Sequence, residues 1–113
     1  MDSLFERVIL EINNRSHLQA LLPDRSFSIL FTYANFTWTM NLSCEECKVF
    51  KGKKSVEIGL TINASKKALE LLLNGDTRLQ QLMKSGDVTV HGSYRQLLVV
   101  EAILYLCREY KIA

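Results

Sequence analysis

Leu97 to Cys107 reads LLVVEAILYLC, and Glu101 is the only charge in it. A surface helix shows one apolar stripe, whereas a helix apolar around most of its girth has to be covered on several sides. In a chain of 113 residues the available cover is the rest of a small core, a second subunit or an apolar ligand. The run holds eleven residues, well short of the roughly 20 that a membrane-spanning helix needs. It therefore reads as a core or interface helix, and the rest of the chain must supply the surface it lies on.

That surface is legible upstream. Leu4, Phe5, Val8, Ile9 and Ile12 follow the spacing of one helical face, with Asp2 or Ser3 placed to cap it. Leu18, Leu21 and Leu22 prolong the stripe past Asn13-Asn14, and Pro23 ends it. The period then switches to two. Phe27, Ile29, Phe31 and Tyr33 alternate with polar positions, as do Phe36, Trp38, Met40 and Leu42, and Ala34-Asn35 between them suits a tight hairpin in which Asn35 tolerates a positive φ. Cys47 to Lys51 is a weaker strand, and Ser55 to Ile62 alternates again through Val56, Ile58, Leu60 and Ile62. Ser65 is placed to cap a helix bearing Ala68, Leu69, Leu72 and Leu73, which Asn74-Gly75 stops, and Asp76 to cap a shorter one bearing Leu79, Leu82 and Met83. Gly86 and Gly92 bracket a last strand, and Ser93 with Gln96 has capping-box spacing at the head of the apolar helix. Clean alternation implies an antiparallel sheet with one wet face. The order helix, strands, two helices, strand, helix gives an α+β domain over residues 1–113, with helices gathered on one side of a single sheet.

Charge and cysteines narrow the partners. Fourteen basic against twelve acidic residues leave +2, and no dense basic stripe appears, so nucleic acid is not expected as a partner. The one local concentration is Lys48, Lys51, Lys53 and Lys54. Lysines on an edge strand keep sheets from pairing with each other; the same four would also suit contact with an anionic membrane surface. Three cysteines without an export signal read as reduced thiols in a cytoplasmic protein.

Catalytic chemistry finds little support. His91 shares a strand face with Asp87 and Thr89, opposite Val88 and Val90, and so faces solvent; His17 lies near a helix end. Cys44-Glu45-Glu46-Cys47 is a lone CxxC with no second pair to complete a zinc site, and its two glutamates raise thiol pKa rather than lower it. No phosphate loop or nucleophile elbow is present, so neither catalysis nor a metal or organic cofactor is expected. What remains is apolar surface. The inward sheet face offers Ile29, Phe31, Trp38, Met40, Ile58, Leu60 and Ile62, and the helices answer with Leu69, Leu72, Leu79, Leu82, Met83, Leu97, Val100 and Leu104. These side chains either close on one another as a solid core or line a cavity for an apolar guest.

The strand VEIGLTI (Val56 to Ile62), the helix SKKALELLLNG (Ser65 to Gly75), the segment LQQLMKSGDVTVHG (Leu79 to Gly92) and the helix that follows resemble, in that order, the sterol-carrier-protein type-two family. The resemblance covers about half of the chain. It implies a mostly antiparallel sheet of five strands with helices over one face, enclosing a hydrophobic tunnel for a sterol, fatty acid, fatty acyl-CoA or isoprenoid-like lipid, with no catalysis. The residues named above would line that tunnel. Where the family often has small residues after the last glycine, Ser93-Tyr94-Arg95 are larger, and the tail Lys111-Ile112-Ala113 is not a peroxisomal address. The first bears on the width of the tunnel and on which lipid it takes; the second points to a small stand-alone cytoplasmic relative. Since some members serve as accessory or dimerisation domains, a homodimer or protein partner on the last helix is the alternative reading.

Overall fold

The computed structural model describes residues 1–22, 25–53 and 57–107. Pro23, Lys54, Ser55, Val56 and the Lys111–Ala113 tail, each given a role above, lie outside them. Helix α1 (Asp2–Asn14) buries Phe5, Val8 and Ile12, one stripe along its length. Arg15, extended at φ −111° and ψ 104°, separates it from the single turn α2 (Ser16–Gln19). Neither Asp2 nor Ser3 caps α1: Met1 holds that position, and no side chain takes part. Asp2 is engaged elsewhere, accepting a hydrogen bond of 2.6 Å from the Trp38 indole nitrogen.

Strands β1 (Phe27–Tyr33), β2 (Phe36–Leu42), β3 (Lys48–Lys51), β4 (Ile58–Ala64) and β5 (Val88–Gly92) form one sheet in the order β3-β2-β1-β4-β5. Three neighbouring pairs are antiparallel; β1 and β4 run parallel, because the chain returns from the β3 edge to lie beside β1. The hairpin after β1 turns on Ala34, whose φ is +52°, and not on Asn35 as its side chain suggested. Register places Ile29, Phe31, Met40, Trp38, Leu60 and Ile62 in one set of cross-strand rows, and Val90 opposite Ile62 extends the same face. Ser28, Thr39, Asn41, Thr61 and His91 alternate with them on the other face.

Helices α3 (Lys66–Asn74), α4 (Leu79–Lys84) and α5 (Tyr94–Leu106) complete the layer over the apolar face. Ser65 caps α3 through Ala68 N–H at 3.2 Å. At its other end Gly75, at φ +74°, allows a Schellman closure in which Gly75 N–H donates to Leu72 O and Asp76 N–H to Leu71 O. Asp76 thus finishes α3 instead of starting α4, whose N-cap is Arg78. The first turn of α4 is satisfied from a distance: Glu101 of α5 accepts from Gln80 N–H at 2.7 Å and from the Gln80 amide at 3.1 Å. Ser93 caps α5 through Gln96 N–H, but the capping box stays half-made, because Ser93 N–H donates to Gly59 O.

Candidate functional site

The apolar layer between sheet and helices is one continuous cluster. Ile29, Phe31, Trp38, Met40, Leu60 and Ile62 of the sheet and Leu69, Leu72, Leu79, Leu82, Leu97, Val100 and Leu104 of the helices are all buried in it, and Met83 packs against its margin. Ile58 stands apart. The β1–β4 register slips at Gly59, so that Ile58 lies opposite Ser28 while Leu60 lies opposite Ile29; Ile58 is half-buried and outside the row expected for it. A methyl on Gly59 would overlap the Gln96 amide, so the missing side chain lets α5 sit close to β4.

Sequence reasoning left part of this wall out. Phe5, Val8 and Ile12 of α1, Leu73 of α3 and Ile103 of α5 are as buried as the residues it chose. Their helical spacing was visible, but spacing alone does not say which helices pack on the same face of the sheet. The only buried polar residues among those described are Ser28 and Thr39, and both belong to the opposite sheet face, where Ser28 Oγ accepts from Asn41 and Thr39 Oγ donates to Gly52 O. The buried residues of the layer are therefore apolar, and at its margin, among the described residues, Gln96 Oε1 is buried without a hydrogen-bond partner.

Trp38 connects this layer to the surface. It lines an open cavity of about 250 Å³ together with Met1, Asp2, Tyr33, Phe36, Lys51 and Lys66. The position of Tyr33 and Phe36 beside Trp38 follows from strand alternation and could have been read from the sequence; that of Lys66 depends on where α3 begins. Lys48, Lys51 and Lys53 are exposed on or beside the edge strand β3, the setting in which lysine discourages edge-to-edge pairing.

Two of the three thiols are poorly suited to nucleophilic work. Cys44 is exposed, whereas Cys47 and Cys107 are buried. Burial is the main cause that raises the Cys47 thiol and pushes Cys107 up to about 12, so both hold their protons at neutral pH. Cys47 is fixed by its backbone: Asn13 Oδ1 accepts from its N–H at 2.8 Å, and Asn13 Nδ2 donates to its carbonyl at 3.0 Å. Among the described residues no group of three or more His, Cys, Asp or Glu could hold a metal ion, and no helix is long and apolar enough to cross a membrane.

The family model of the SCP-2 sterol transfer family matches residues 8–105, from within α1 to the end of α5. The chain belongs to the SCP-2 sterol transfer family. Within it, the SCP2 domain-containing protein YusD of Bacillus subtilis (strain 168) is 47% identical over 89 residues, covering 79% of this chain and 77% of that relative. Solved structures share the fold at much lower identity. The sterol carrier protein domain 2 of Helicoverpa armigera superimposes with a TM-score of 0.73 at 15% identity, over 98% of this chain and 91% of that one. Palmitated SCP2L2 of Aedes aegypti gives 0.67 at 12% identity, over 93% and 94% of the two chains. The α+β architecture is thus that of the SCP-2 fold, with all five strands and the covering helices in place.

Proposed function

We propose that this SCP-2 family member binds and transfers an apolar lipid, without catalysis, in the space between the sheet face and α1, α3, α4 and α5. A fatty-acyl chain or isoprenoid-like lipid is preferred to a sterol. The observation that carries the reading is the chemistry of the interlayer. Its buried members are hydrocarbon, aromatic or sulfur-bearing side chains, and the two buried polar residues lie on the opposite face. A guest held there is held by burial of apolar surface, which is non-directional and tolerant of shape. The residues that would touch it are Ile29, Phe31, Trp38, Met40, Leu60, Ile62, Leu69, Leu72, Leu79, Leu82, Met83, Leu97, Val100 and Leu104; Ile58, displaced by the register slip, would contribute least.

Without a guest these side chains pack against one another, so binding requires the helices to part from the sheet. Burial of about 300 Å² of acyl chain is worth about 7 kcal/mol at ~25 cal/mol per Å², and reorganisation and ordering costs are set against that gain. The gain alone sets a micromolar ceiling on the affinity, and the cost of parting the helices lowers it from there. Native mass spectrometry after gentle purification, with displacement of a fluorescent fatty acid, tests the proposal: a co-purified lipid or displacement at micromolar concentration is expected. Absence of any lipid binding below about 100 µM, a free energy near 5.5 kcal/mol, would reject it.

A second reading rests on α5, where Leu98 remains 41% exposed on a helix otherwise rich in buried leucine and valine. In that reading the outward face of α5 meets a second copy or a partner protein, and sedimentation of the unmodified chain at high concentration decides for or against self-association.

A further inference from the structure

The aromatic side chains at the hairpin end of the sheet form a series that begins in solvent and ends in the core. Phe36, 48% exposed, stacks on Tyr33 with centroids 5.9 Å apart and on Trp38 at 6.2 Å. Trp38 stacks in turn on Phe5 at 4.9 Å, and Phe5 meets Phe31 edge-on at 5.1 Å. Phe5 and Phe31 are fully buried members of the layer described above. From the β1–β2 turn, then, ring follows ring from the mouth to the interior.

The outer end of the series is ringed by charge. Lys51 Nζ lies 5.9 Å from the Phe36 centroid and 3.9 Å from Asp2 Oδ2, and Lys66 lines the same cavity. Among the described residues Asp2 is the only acidic one lining it, and its other oxygen is occupied by the buried Trp38 indole at 2.6 Å. Two ammonium groups thus face one carboxylate that is already committed on both oxygens. Lys51 and Lys66 are both exposed, so neither ammonium is buried with an internal partner. The cavity, at about 250 Å³, is smaller than the roughly 300–1,000 Å³ of sites that enclose a whole ligand. It has room for a head and the first few methylenes, not for a complete lipid.

We propose that this mouth is the entrance to the interlayer and the anchor for the head of an anionic amphiphile, typified by a long-chain carboxylate. The carboxylate sits between Lys51 and Lys66, and the chain runs inward past Phe36 and Trp38 toward Phe5 and Phe31. A neutral sterol, with a single hydroxyl, leaves the excess positive charge of this rim, two ammonium groups against the one carboxylate of Asp2, uncompensated, which is why the site selects for the anion. This inference rests on the apolar-ligand reading above, and adds to it the head-group class and the point of entry.

Trp38 is the single tryptophan of the chain, so its fluorescence reports this site alone. Dodecanoate and dodecanol, equal in chain length and different in charge, are titrated into the intact protein and into Lys51→Gln, Lys66→Gln and the double variant. Brominated dodecanoates serve as contact quenchers. Dodecanoate should bind more weakly by about threefold in each single variant and about tenfold in the double variant, in line with exposed charge pairs. Dodecanol should be unaffected, and bromine at the second carbon should quench Trp38 more than bromine at the chain end. Unchanged dodecanoate affinity in the double variant, or stronger quenching from the chain end, overturns the head-group assignment and leaves the interlayer reading intact. If neither amphiphile binds the unmodified protein, both readings fall together.

Discussion

Two helices of thirteen residues each, α1 and α5, lie over the same sheet and are fastened to it in different ways. α1 is amphipathic and latched by polar side chains of its own. Asp2 holds the Trp38 indole, Arg7 donates to Leu73 O and Asn74 Oδ1 at the end of α3, and Asn13 clamps both backbone groups of Cys47. α5 buries four apolar side chains, Leu97, Val100, Ile103 and Leu104, against three in α1, but Glu101, through Gln80, is the chief polar tie from its own side chains. Gln96 Oε1 is buried without a hydrogen-bond partner among the described residues. Directional bonds fix a helix in one place, whereas apolar contact tolerates sliding and lifting. If a guest enters as proposed, the comparison makes α5 the element that parts from the sheet and α1 the frame that keeps the cavity at Trp38 in shape.

The sharpest way to break this comparison is through the core each helix shares. Phe5→Ala removes the ring that joins Trp38 to Phe31 and should cost about 3–5 kcal/mol in denaturant unfolding; a loss under about 1 kcal/mol would mean that α1 is not the fixed frame. Next come the latches. Asn13→Ala strands the Cys47 N–H and carbonyl and should cost about 2–3 kcal/mol, whereas Glu101→Gln, which keeps an acceptor for Gln80, should cost about 1 kcal/mol. Equal losses would erase the difference between the helices.

Cys107, at the end of α5, provides a pH test. Its thiol is pushed from 9.0 to about 12 in the folded chain, chiefly by burial, so the folded state holds its proton more tightly than the unfolded one. Its contribution is fully present below pH 9 and is lost as pH rises from about 9 to about 12. Stability should fall across that window, and less steeply in Cys107→Ala; identical slopes would contradict the burial of this thiol. The smallest effect is expected at Leu98→Asp on the outer face of α5, within about 0.5 kcal/mol of the unmodified chain, with sedimentation unchanged if α5 serves the interlayer alone. A shift from dimer to monomer in that variant would instead support the partner-binding reading.

Much of this architecture was legible because its signals are local. Alternation in Phe27–Tyr33 and Phe36–Leu42, the Ser65 and Ser93 caps, and the glycine stop at Gly75 each depend on a few neighbouring residues, and each stands where it was read. What escaped depended on partners far along the chain. Asp2 looked like a cap until Trp38 claimed it, and Asp76 looked like the start of α4 until its N–H closed α3. Ile58 followed the alternation perfectly, yet the slip of β4 against β1 at Gly59 removes it from the inward row. For the same reason the mouth was missed: the Tyr33–Phe36 hairpin, Lys51 and Lys66 come from three separate places in the chain, and only the folded sheet brings them to one rim.

The account rests on where a bound chain lies. With the protein methyl-labelled at Ile, Leu and Val and unlabelled palmitate added, intermolecular nuclear Overhauser effects locate the ligand directly. Contacts from the palmitate methylenes to Ile29, Ile62, Leu72 and Leu104, all fully buried in the free chain, are the expected result. Contacts confined to exposed Leu10 and Leu98, with the interior methyls unmoved, would contradict it.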